Sequence, residues 1–198
     1  MKMAKKLLAL VLTGVMAMSV LTGCGSAASR QATGKLEGML KEANPKATVE
    51  VGSEALANTA IGAATENGKL KTPSSADSSI YAALKNAKSD EYVWYTYFKA
   101  EGKDETDKAQ EISKKVLTKD GKAINGSGAI NAFSLNSKGN KPGDEFELSM
   151  KEFTVKETNG GKTTDVVYIM AVVTCKPVKY HVEHIGELAE QRRARNGV

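Results

Sequence analysis

Eight consecutive residues, Val166 to Val173 (VVYIMAVV), are apolar with no alternation. A strand wetted on one side shows a polar residue at every second position. An unbroken run of this length, rich in valine and isoleucine, implies burial on both faces. Its surroundings fix its place. Upstream stands Asn159-Gly160-Gly161-Lys162, the chemistry of a two-residue hairpin turn whose central positions take positive φ. The return strand is therefore expected over Asp165 to Lys176, as a central strand broken by Pro177. In its partner, Phe146, Leu148 and Met150 share one parity while Phe153 and Val155 take the other. That change predicts a β-bulge near Lys151 and Glu152.

Upstream of this hairpin the periods are mostly helical. Leu36, Met39 and Leu40 sit at helical spacing before Pro45. The segment ATVEV, residues 47–51, alternates as a short strand. Glu54 to Glu66 is an alanine-rich helix with Leu56, Ala60, Ala63 and Ala64 on one face, stopped by Gly68. A further helix is expected to start near Asp77 as its N-cap, with Ile80, Ala83, Leu84 and Ala87 as its stripe. Glu105 to Lys119 forms another around Ala109, Ile112, Val116 and Leu117. Asp104, Glu105 and Asp107 at its start suit the helix dipole. Ala129 to Leu135 is a strand candidate, Val178 to Ile185 a second, and Glu187 to Arg195 a polar terminal helix. The class expected is α+β: N-terminal helices followed by an antiparallel sheet, with a C-terminal hairpin and a short terminal helix.

The first 24 residues have a different character. Lys2, Lys5 and Lys6 precede an apolar run from Leu7 to Leu21, shorter than the roughly 20 residues of a membrane-spanning helix. The run closes on Leu21-Thr22-Gly23-Cys24. This box resembles the lipobox of bacterial lipoproteins, in which the leader is cut before the cysteine and its thiol carries a diacylglycerol. The resemblance covers residues 1–24 only. It implies lipidation at Cys24, a lipid bilayer as partner, and a location on the extracytoplasmic face of the cell membrane. Residues 24–35 are small and polar and are expected to form a flexible tether. The domain layout is then a signal peptide over 1–23, a tether over 24–35 and one globular domain over 36–198.

The whole chain carries a formal charge of +5. Without the three leader lysines, 25 basic side chains face 23 acidic ones, so the mature part stands near +2. No clustered basic face is evident, and nucleic acid is excluded as a partner. The chain has two cysteines. With Cys24 committed to lipid, no internal disulfide remains, and Cys175 is expected as a small buried apolar group.

Chemistry-bearing motifs are sparse. His181 and His184 would share a face with Glu187 on a helix, but Pro177, Val178, Tyr180 and Val182 favour a strand, which separates them; no metal site is assigned. Gly126-Ser127-Gly128 lacks the flanking pattern of a nucleophile elbow. Neither a P-loop nor a dinucleotide fingerprint occurs, and no cofactor is expected. No catalytic residue is assigned.

One cluster stands out. Tyr92, Trp94, Tyr95, Tyr97 and Phe98 are five of the chain's eleven aromatics. Alternation places Tyr92, Trp94 and Phe98 on one face and Val93, Tyr95 and Tyr97 on the other. An open second face would make Tyr95 and Tyr97 a stacking platform for a glycan or protein partner. A strand covered on both faces would make them core. The functional expectation is a non-catalytic binding or scaffolding module of the cell envelope. The alternative is a small envelope hydrolase acting on peptidoglycan or peptide.

Overall fold

The computed structural model describes residues 27–117, 122–124 and 138–179. Its class is α+β. Four helices are described: α1 Ala27–Ala43, α2 Ala55–Ala64, α3 Pro73–Ala87 and α4 Glu105–Leu117. Strands β1 Thr48–Val51, β4 Tyr92–Lys99, β5 Lys122–Ile124, β6 Asn140–Asn159 and β7 Lys162–Lys179 form one sheet in the order β1-β6-β7-β4-β5. Strands β2 Thr65–Glu66 and β3 Lys69–Leu70 make a separate small hairpin.

Strand β7 lies in the middle of the sheet, as the run 166–173 predicts, and its residues alternate between two cores. Ile169, Ala171, Val173 and Cys175 enter a first core beneath α1 and α4. Met170 and Val172 enter a second beneath α2 and α3. Both faces are covered, so neither needs polar positions. The turn is as expected: Asn159 pairs with Lys162, and Gly160 and Gly161 take φ of 57° and 80°.

Several expectations are corrected. The sheet is mixed rather than antiparallel throughout, because β1 runs parallel to β6. The chain between them is long enough for the crossover that parallel pairing requires. Helices also interleave with strands instead of preceding them, α4 following β4. The bulge expected near Lys151 and Glu152 is absent. Register between β6 and β7 is unbroken from Phe146 to Asn159, and the irregularity lies between Pro142 and Phe146. The parity change has another cause: Phe146, Leu148 and Met150 feed the first core, while Phe153 packs on the second. Pro177 does not break β7, which continues to Lys179. It sits opposite Pro142 at the irregularity, where a missing N–H disrupts no regular ladder.

The N-terminal corrections matter most for function. The segment expected as a tether is helical from Ala27, and Ala28, Ser29, Ala32 and Thr33 are buried alongside Leu36 and Leu40. The stripe is built from side chains too small to stand out by hydropathy. It suits close packing against α4. The Thr33 hydroxyl is satisfied by the Arg30 carbonyl at 2.8 Å. Helix α3 starts at Pro73, not near Asp77, since proline fixes a helical φ and has no N–H to leave unpaired. In α2 the fully buried residues are Ala57, Ala60 and Ala64, with Leu56 and Ala63 half-buried. Buried Ser149 of β6 accepts the Ala57 N–H at 3.0 Å, supplying from the sheet the cap that Glu54 does not.

Candidate functional site

The aromatic strand β4 splits as alternation dictates. Tyr92, Trp94 and Phe98 enter the first core, and Val93 and Tyr95 the second. Tyr92 stacks on Trp94 with ring centroids 5.6 Å apart, and the Tyr92 hydroxyl donates to the Asn140 carbonyl at 2.6 Å. Trp94 in turn meets Phe146 at 6.3 Å.

Tyr95 and Tyr97 do not form an open platform. Tyr95 is only 2% exposed, and Tyr97 is half-buried against the second core. The cause is the earlier start of α3. With Thr72 at the N-cap, Asp77 falls in the second turn, and its polar atoms turn toward the sheet. The Tyr95 hydroxyl donates to the Asp77 carbonyl at 3.2 Å, and the Tyr97 hydroxyl to the Asp77 carboxylate at 3.4 Å. Lys122 of β5 pairs with the second carboxylate oxygen. Burial first, then the Asp77 charge, holds the Tyr95 phenol well above its ordinary range. The same two causes push Tyr97 up to about 12. This cluster buckles α3 to β4 and β5. Asp77 and Lys122 carry no sequence signal for that role, being 45 residues apart.

A concave feature with a net acidic lining lies at the end of the sheet where β1 begins. It is a groove of about 510 Å³ between β1, the α3–β4 junction and the adjoining parts of β6 and β7. Glu50, Glu91, Glu145 and Glu147 line it, together with Lys88 and Lys176. Lys88 is paired with Glu91 at 2.8 Å. Glu147 lies across Gly52, in the space a side chain there would take. Cys175 also borders the groove but is 2% exposed, and burial pushes its thiol up to about 12. It is the small buried apolar group expected, and a protonated thiol is a poor nucleophile. The groove offers carboxylates to a cationic or hydrogen-bonding surface.

A serine–lysine contact occurs elsewhere, Lys71 Nζ to Ser79 Oγ at 3.2 Å. The same ammonium donates to the Ala63 carbonyl at 2.8 Å, closing the C-terminus of α2. Its donors point at two oxygens, which is the geometry of a helix cap rather than of a base. Among the described residues no set of three His, Cys, Asp or Glu side chains could hold a metal ion. No described helix is long and apolar enough to cross a membrane. Cys24, Ser127, the strand candidate at 129–135, His181, His184 and the terminal helix lie outside the described residues. Comparison with known protein families, with curated proteins and with solved structures found no match.

Proposed function

We propose that this chain is a lipid-anchored extracytoplasmic lipoprotein whose domain acts as a non-catalytic binding or scaffolding module at the cell envelope. The observation that carries the proposal is the Leu21-Thr22-Gly23-Cys24 box behind a basic and then apolar leader. Small residues at 22 and 23 let the chain enter a peptidase groove extended, and the cysteine supplies the thiol for a thioether. Two or three acyl chains, at about 0.8 kcal/mol per buried CH₂, make attachment stable where a single chain would bind only marginally.

The nature of the site supports a binding role. The charged groups of the groove are solvent-facing carboxylates and lysines, suited to surface complementarity. The tyrosines that would have formed a platform serve the core. A glycan or protein partner is therefore sought at the groove and not at Tyr95 and Tyr97.

The test is Cys24→Ala in cells expressing the full chain. Wild type should partition with the membrane and carry the mass of an acylated mature N-terminus. The variant should be released or remain uncleaved. Unchanged membrane attachment with normal cleavage would sink the proposal.

A further inference from the structure

Two residues, Gly25 and Ser26, separate Cys24 from Ala27, the first described residue, which is already helical. Three Cα–Cα steps span at most about 11 Å. Ala28 and Ser29 are already buried against the domain, so α1 cannot peel away to lengthen this link without opening the first core.

The register shows which end of the domain that link holds. Near its C-terminus α1 is followed by Asn44, bonded to Asp144 at 2.8 Å. Seven residues earlier, Glu37 accepts the N–H of Val49, which pairs with Phe146. Going backwards along α1 therefore means going forwards along β6. A further ten residues to Ala27, at about 1.5 Å each, bring the helix start level with residues near 151 of β6. Helix α4 starts at the same end, where Lys108 meets Glu152 at 2.8 Å.

Beyond this level the sheet narrows to a ribbon. Pairing of β4 with β7 stops at Lys99–Tyr168, and pairing of β1 with β6 stops at Val51–Leu148. Strands β6 and β7 continue together through six more pairs, from Thr154–Val167 to Asn159–Lys162. The tip lies about 27 Å past the start of α1, at about 3.4 Å per strand residue. A link of about 11 Å cannot carry Cys24 to the plane of that tip. The domain cannot stand on its ribbon with its acyl chains in the bilayer.

We infer that the anchor lays the domain down, with the side of the ribbon that faces α1 against the phospholipid headgroups and the acidic groove turned away from them. This rests on acylation of Cys24 as proposed above. The side presented carries Thr154, Lys156 and Thr158 of β6 and Thr163, Asp165 and Val167 of β7. Lys156 and Asp165 are opposite each other, so the strip has no net charge, and Val167 is 39% exposed. Hydroxyls and a balanced pair suit a polar headgroup layer without needing anionic lipid, so the short link, not charge, sets the orientation.

The test uses the full chain, processed in cells, in vesicles of phosphatidylethanolamine and phosphatidylglycerol containing a headgroup-linked quencher. Cys24 is acylated and Cys175 is buried, so an introduced cysteine is the labelled thiol. A fluorophore at Thr163→Cys should be quenched several-fold more than one at Glu145→Cys, at low and at high salt. Both positions are exposed. An insert of about 20 Gly/Ser residues after Ser26, roughly 25 Å r.m.s., should erase the contrast while leaving the protein on the vesicles. Equal quenching at the two positions with Cys24 acylated, or a contrast that survives the insert, overturns this inference alone. An intact mass showing unmodified Cys24 overturns the lipoprotein reading and this inference with it.

Discussion

Replacing Tyr95 distinguishes a core ring from a recognition ring more directly than any binding assay. The side chain is 2% exposed and lies among Val93, Ile124, Met170, Val172 and the inner face of α3. Burying roughly 150 Å² of ring surface at about 25 cal/mol per Å² contributes about 4 kcal/mol. The cost of truncating a core aromatic to alanine, about 3–5 kcal/mol, agrees. The hydroxyl adds a neutral hydrogen bond to the Asp77 carbonyl at 3.2 Å, about 1 kcal/mol. Tyr95→Ala should therefore destabilise by about 4–5 kcal/mol and Tyr95→Phe by about 1 kcal/mol. Tyr97→Ala should fall between them, since that ring is half-buried. The assay is urea unfolding followed by Trp94 fluorescence and by circular dichroism, with equal slopes required before midpoints are compared. A Tyr95→Ala loss within about 1 kcal/mol, the scale of a surface substitution, would refute the buried assignment.

Further outcomes follow from the same geometry. Val172→Asp places an unpaired charge in the second core on the central strand and should prevent folding, and amides of 168–174 should exchange only on near-global opening; fast exchange there would show β7 to be peripheral. Cys175 should resist a thiol reagent in the native protein and react once urea unfolds it, because the thiol is buried and protonated; native labelling at the unfolded rate would contradict this. On the alkaline side, Tyr95, Tyr97 and Tyr168 all ionise later folded than unfolded. Their contribution to stability is thus complete below the ordinary phenol pKa near 10 and is lost as pH rises from there through about 12. Absorbance of phenolate should show a delayed, cooperative step coincident with loss of circular dichroism, and independent titration of all tyrosines near pH 10 would refute it.

What the sequence disclosed depended on whether a signal was local. The run 166–173, the Asn-Gly-Gly-Lys turn and the two-faced split of β4 follow from period and turn chemistry, which act over a few residues. The first part of α1 gives no hydropathy signal because Ala28, Ser29, Ala32 and Thr33 bury little area each. Their effect comes from letting α4 approach closely. Asp77 reads locally as a cap because its real neighbours, Tyr97 and Lys122, are distant in the chain. The parity change in β6 resembled a bulge because a strand serving two cores in succession looks, in sequence, like a strand that has slipped. The groove was not legible at all. Its carboxylates come from three separate segments, β1, the α3–β4 junction and β6, and are individually ordinary surface residues.

The alternation of β7 between two cores gives the Gly160–Gly161 turn a reach far beyond its size. A one-residue slip of β7 would turn Met170 and Val172 toward α1 and α4, and Ile169, Ala171 and Val173 toward α2 and α3. Both interiors would then hold side chains cut for the other, Ala171 leaving a void where Met170 or Val172 belongs. Because the two strands are joined by that turn alone, removing a single glycine would force such a choice on all seventeen β6–β7 pairs at once. The two halves of the protein are therefore insured by one clasp, and errors in it cannot be confined to one side.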